Sequence, residues 1–310
     1  MKENMKNSTF INNKQEVGIK VVRGINTIID YGVMLVFLFM LIFGCYAIWD
    51  NNQILYEANA TRYETYKPTT NNSISFAELK NINNEVFAWI TIYGTEIDYP
   101  IAHTDNNSKY LNTNPLGEFS LAGSLYLDYL NNPNFTDFNS IIYGHHMEKD
   151  AMFGNLDKFS EESFFINHQY GNLYYGGKDH GLEFFAFLEE DAYNWDLYKP
   201  GIETEDAQTE YLSYIYSISK NTRDIGVTSS DQIVLLSTCA SDTTNGRYIL
   251  VGRISDETFE NTFDKSQSDD KLNNDLFGGT WTIWKILLWG IIIIIVIILL
   301  ILLLLKVIER

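Results

Sequence analysis

Two apolar runs without a single charge, Tyr31–Trp49 and Ile286–Leu305, constrain this chain of 310 residues more than any other feature. As helices rising about 1.5 Å per residue, each is long enough to cross a hydrocarbon core of about 30 Å. A stretch such as Ile291-Ile-Ile-Ile-Ile-Val-Ile-Ile has no polar face to turn to water. Lys2, Lys6, Lys14, Lys20 and Arg23 precede the first run, and Lys306 and Arg310 follow the second. The positive-inside rule therefore places both termini in the cytoplasm and residues 50–280 outside the cell membrane. Trp281, Trp284 and Trp289 suit the outer interface. The first run is long and no small-x-small site follows it, which argues against a cleaved signal peptide.

Charge follows the same division. Residues 1–24 carry net +3 and residues 50–280 net −22, within a total of −18. The basic footprint of a nucleic-acid binder is missing. There are two cysteines, and Cys45 lies within the first apolar run. Ile42-Phe-Gly-Cys45 is a weak match to a lipoprotein cleavage box, because Phe43 fits the second position poorly. The outside region thus holds one thiol, Cys239, and no disulfide partner. A lone cysteine is commonly just a small buried apolar residue. The setting of Cys239 argues otherwise. Gln232–Cys239 is a β-branched, strand-like run ending on the thiol, and a second strand-like run, Tyr248–Ile254, starts directly after Arg247. Adjacent strands then present a thiol and a guanidinium at facing ends. A third run, Ile141-Ile-Tyr-Gly-His-His146, ends on imidazole. Cys239, His145 and Arg247 are expected to meet in space. Alternation sends His145 and His146 to opposite sides, and His145 is the one expected to face Cys239. The histidines show no ligand spacing with a second cysteine, so no metal site or cofactor is expected.

In chain order, 1–24 is a cytoplasmic tail, 25–49 a transmembrane helix, 50–74 a polar, disordered stalk, and 75–258 the catalytic domain. An acidic linker (259–280), a second transmembrane helix (281–305) and a short cytoplasmic tail (306–310) follow. Ser75-Phe-Ala-Glu78 reads as a capping box opening a short helix. Strands are expected at 87–93, 96–99, 124–127, 140–143, 172–175, 182–188, 232–239 and 248–254. Met152, Phe153, Leu156 and Phe159 have helical spacing, as do Tyr211, Leu212, Ile215 and Ile218 within 203–220. About eight short strands with few helices predict a mostly β protein built as a closed barrel.

Tyr143-Gly-His-His-Met147 with Met152-Phe153, and Leu236-Ser-Thr-Cys239 with Gly246-Arg247, resemble the signature blocks of the sortases. The double histidine is similar to the class B form. Trp89-Ile90, Gly94-Thr95, Ile97-Asp-Tyr-Pro100, Gly123-Ser124 and Asp128-Tyr129 extend the resemblance over about residues 78–254. It implies an eight-stranded sortase-type β-barrel and a membrane-anchored cysteine transpeptidase of Gram-positive bacteria. Such an enzyme cleaves a C-terminal sorting signal of an exported protein through a thioacyl intermediate. It then passes the acyl group to a cell-wall precursor amine or, in pilin-polymerising members, to a Lys amine. Carried over, Cys239 is the nucleophile, His145 the acid–base group and Arg247 the oxyanion partner. Ser237 and Thr238 beside the nucleophile, and Tyr193, Tyr211 and Tyr214 in the long 189–231 connection, are implied to line the substrate groove. The second apolar run is more like pilus-building class C enzymes, but their aspartate-aromatic lid is absent.

The chemistry needs these residue types. A thiolate is a strong nucleophile toward an amide carbonyl. The leaving amine needs a proton, which imidazolium supplies near neutral pH. A guanidinium favours both thiolate and oxyanion. Two rivals remain. Papain-like wall hydrolases place Cys before His, and L,D-transpeptidases place a His close before the Cys; neither order occurs here. The other rival is a non-catalytic membrane-anchored β-domain that binds wall or protein, for which Cys239 is dispensable.

Overall fold

The computed structural model describes residues 2–68, 74–239 and 245–263. The chain divides into two compact units, Met1–Phe259 and Glu260–Arg310. The expected second apolar helix and most of the acidic linker lie outside the described residues.

The first unit opens with a long helix, α1 (Lys2–Ala58). Within it, Glu16–Ala58 holds an 18-residue window apolar enough to cross a membrane, with a mean hydropathy of 2.4 and none of it buried. A short helix, α2 (Ile74–Ile82), leads to β1 (Val86–Ile92), β2 (Asp98–Ala102), β3 (Leu125–Leu127) and β4 (Asn139–Tyr143). Then come α3 (Glu162–Asn167), β5 (Tyr170–Tyr175), β6 (Lys178–Asp191), α4 (Glu205–Ile218), β7 (Asn221–Thr222), β8 (Gln232–Cys239) and β9 (Gly246–Ser255). Pairing runs β5-β1-β2-β3-β4-β8-β9-β6, and β5 also pairs with β6. Eight strands therefore close into a barrel, with two-residue β7 attached to β6 outside the ring. Closure leaves no long open edge to template aggregation. The β2–β3 and β4–β8 pairs are parallel, and the other pairs antiparallel.

The barrel explains why β8 reads as a continuous apolar run. Val234 and Leu236 join the interior core with Trp89, Phe153 and Leu250. Ile233 and Leu235 face a second core with Ile249, Val251 and the α4 residues Tyr211, Leu212 and Ile215. A strand covered on both faces needs no polar alternation. Helix α4 starts where its sequence directs. Thr204 caps it by accepting from the Ala207 amide, and Glu205 and Asp206 occupy the positive end of its dipole.

Three local expectations are corrected. Residues 50–68 are no disordered stalk: α1 continues to Ala58, and two 3-10 turns, Ala60–Arg62 and Glu64–Tyr66, follow. Tyr63 is buried and donates to the Glu57 carbonyl, so aromatic burial overrides the polar composition. Ser75 is no N-cap, because α2 begins at Ile74; its hydroxyl instead bonds the Lys67 carbonyl. The expected helix at 151–159 is a 3-10 turn, Gly154–Ser160, preceded by Met152 in the left-handed region. The apolar spacing there marks burial of Met152, Phe153, Leu156 and Phe159, not an α-helix.

Candidate active site

Three neighbouring strands end together. In the antiparallel β8–β9 pair, Cys239 lies directly opposite Arg247. In the parallel β4–β8 pair, Tyr143 is matched with Ser237, and the Gly144 amide continues the ladder onto the Ser237 carbonyl. His145 follows β4 two residues past Tyr143, as Cys239 stands two past Ser237. With neighbouring strands about 4.8 Å apart, the backbones of His145, Cys239 and Arg247 occupy one end of β4, β8 and β9.

Face assignments separate the two histidines. Ile141, Leu235, Ile249 and Val251 belong to the core under α4, while Ile142, Leu236, Tyr248 and Leu250 belong to the barrel interior. By register, Arg247 falls on the α4 face. His146 goes the other way: its ring lies 6.2 Å from that of Tyr248, and its Nε2 is 3.6 Å from the Asp157 carboxylate. That is close enough for an ion pair with a protonated ring but too long for a hydrogen bond. His145 instead contacts the Leu111 carbonyl through Nε2 at 2.8 Å. A carbonyl only accepts, so Nε2 carries a proton and Nδ1 is left for other partners. Arg247 is half-buried and donates to the Gly246 carbonyl.

The seat of His145 is built from unusual backbone. Gly123 has φ +63°, and a Cβ there would lie 2.6 Å from the Tyr110 oxygen, 2.7 Å from the Leu111 oxygen and 3.1 Å from His145 Cδ2. In the loop that follows, Lys149, Asp150 and Met152 all have positive φ, at 58°, 61° and 54°. Each such residue costs about 1–2 kcal/mol, and strain of this kind gathers at functional sites. The loop is held by Lys158 on Asp150 at 2.7 Å and by the Phe153 amide on the His145 carbonyl at 3.0 Å.

The floor between β4 and β8 is phenolic. Tyr143 stacks on Tyr198 with centroids 6.4 Å apart and meets the tilted ring of Tyr126 at 5.4 Å. Its hydroxyl donates to Asp128, which also accepts from Asn107 and the Leu130 amide. Burial first, and then the Asp128 charge, push the Tyr143 pKa up, so this phenol keeps its proton. Tyr198 shares a hydrogen bond with Ser237 at 2.9 Å.

A family model described as the sortase domain matches residues 90–255. The chain belongs to the sortase family. Sortase B of Listeria monocytogenes is 36% identical over 183 residues, spanning 57% of this chain and 72% of that protein. The crystal structure of sortase B from the type II pilus of Streptococcus pneumoniae superposes with TM-score 0.53 at 46% identity, covering 59% of this chain and 99% of the other. A class B sortase of Streptococcus pyogenes involved in pilus biogenesis gives TM-score 0.54 at 39% identity, covering 59% and 98%. This sortase is of class B.

The residues expected to line the sortase groove separate in the structure. Ser237 is buried on the α4 face of β8, bonded to Tyr198. Thr238 faces the interior, where its hydroxyl has no hydrogen-bond partner among the described residues. Tyr211 is a core residue whose hydroxyl donates to Leu197, and Tyr214 is half-buried against Asn194. Tyr193 is exposed, with Trp195 beside it at 6.2 Å between rings. The Leu111 carbonyl had no signal in the sequence, since any residue supplies one. Tyr198 was hidden in a polar connection, and only its tyrosine-rich surroundings hinted at a stacked floor.

Proposed function

We propose that this sortase is a membrane-anchored cysteine transpeptidase acting outside the cell. Cys239 thiolate attacks the scissile carbonyl of a C-terminal sorting signal, and Arg247 stabilises the oxyanion. His145 imidazolium protonates the leaving amine as the C–N bond breaks, leaving a thioester on Cys239. The neutral imidazole then takes a proton from the acceptor amine, which attacks the thioester, forms the new amide and releases the thiolate. One well-placed oxyanion donor contributes about 3–4 kcal/mol. The observation that carries this reading is the register: Cys239 opposite Arg247, with His145 at the same end of the adjacent strand. α1 supports anchoring, and the basic residues before it support a cytoplasmic N-terminus. Among the expected groove residues, Tyr193 is exposed and available to substrate.

The first acceptor is a cell-wall precursor amine. A second, the Lys amine of a pilin subunit, is favoured by the 46% and 39% identity to the two pilus-associated enzymes. Peptides from a pentapeptide library test cleavage: Cys239→Ala and His145→Ala are expected to abolish it. Undiminished cleavage in Cys239→Ala would leave a binding domain as the better reading. Mass spectrometry of cross-linked products then separates wall from pilin acceptors.

A further inference from the structure

We propose that Tyr99 is a positioning residue for acyl transfer, tying the end of α1 to the strained loop beside His145. The inference rests on His145 as the acid–base group.

Tyr99 lies on β2 and is 2% exposed. Its hydroxyl donates to the carbonyl of Ala58, the last residue of α1, at 2.8 Å. It also accepts from the Met152 amide at 3.0 Å. The carbonyl can only accept and the amide can only donate, so both roles of the phenol are fixed. Met152 sits in the left-handed region and forms a bridge with His146. The next amide, that of Phe153, bonds the His145 carbonyl. One hydroxyl therefore stands two short links from the backbone of the proposed acid–base residue. Met152 depends on it, because in this conformation its N–H enters no ladder. The far end is anchored too: Tyr63, 1% exposed, donates to Glu57, the neighbour of Ala58. The segment leaving the membrane helix thus forms part of the frame that fixes where His145 stands, and activity is coupled to the end of α1.

The test uses the full chain in detergent micelles. Tyr99→Phe keeps the ring in the core and removes the hydroxyl. With a cleavable library peptide, kcat is expected to fall at least tenfold, as ångström-scale misplacement does, while KM stays within about twofold. The imidazole nitrogen resonances of His145 should shift as the contact with Leu111 loosens, a readout that needs no substrate. Phe165→Leu, a core change at α3, is the control: it should lower Tm with kcat and the His145 resonances unchanged. In the unaltered protein, hydrogen exchange should show a protected Met152 amide. Unchanged kcat and resonances in Tyr99→Phe, an unprotected Met152 amide, or an equal kcat loss in Phe165→Leu would each overturn the proposal. Absence of cleavage by the unaltered chain would instead defeat the transpeptidase reading, leaving the resonance and exchange readouts to decide this one.

Discussion

Replacing Gly123 by alanine is expected to damage stability and catalysis together. At φ +63° an L-residue loses about 1–2 kcal/mol to its own backbone. The new methyl would also sit 2.6 and 2.7 Å from the Tyr110 and Leu111 carbonyl oxygens. Both are main-chain atoms and cannot swing aside as a side-chain tip can. Overpacking of this kind adds about 1–3 kcal/mol. The combined loss of about 2–5 kcal/mol corresponds to a Tm drop of about 10 °C for a domain of this size. Relief requires moving the Leu111 oxygen, which is the partner of His145 Nε2. Thermal unfolding of the full chain in detergent, run beside peptide-cleavage kinetics at 25 °C, reads both effects, and kcat should fall at least tenfold. A Tm within about 2 °C of the original and an intact kcat would refute the claim that this glycine forms the seat of the imidazole.

Asp98 accepts from Trp89 Nε1, Thr91 and Lys67; Asp98→Ala strands the buried indole donor and should cost about 2–3 kcal/mol, read as a lower urea midpoint. Burial lowers the pKa of His168 and His180, with Lys178 adding to the effect on His180. Folding therefore favours their neutral forms, and their contribution is complete above pH about 6.5 and shrinks as pH falls below it, because the unfolded chain takes up protons first. Urea midpoints at pH 7.5 and 5.5 should show that loss, and replacing both histidines by glutamine should flatten it; equal slopes in the two proteins would contradict the linkage. Asp128→Ala removes the partner of Tyr143, Asn107 and the Leu130 amide, so both KM and Tm should worsen, whereas an unchanged KM would place the phenolic floor outside the groove.

The strands were legible because their cause is local. Gln232–Cys239 has the same bounds in structure and sequence, and α4 lies within the expected 203–220 segment. The facing of Cys239 and Arg247 was legible too, since eight residues joining two apolar runs leave little choice of pairing. What escaped is non-local. Nothing in Asn59–Lys67 announces that Tyr63 will be buried, or that Ala58 will receive the Tyr99 hydroxyl, because both depend on chain tens of residues away. The left-handed Lys149, Asp150 and Met152 carry no glycine to signal them. Tyr211 was expected to line the groove and proved to be core, because helical spacing alone cannot tell the face toward β8 from the face toward a ligand.

The proposed mechanism requires one sulfur to carry the acyl group. Intact-protein and peptide mass spectrometry, after incubation with a cleavable peptide and no amine acceptor, tests it directly. The expected result is a mass increase confined to the fragment containing Cys239, released by hydroxylamine and absent from Cys239→Ala. Cleavage without such an adduct, or an adduct at Cys45, would contradict it.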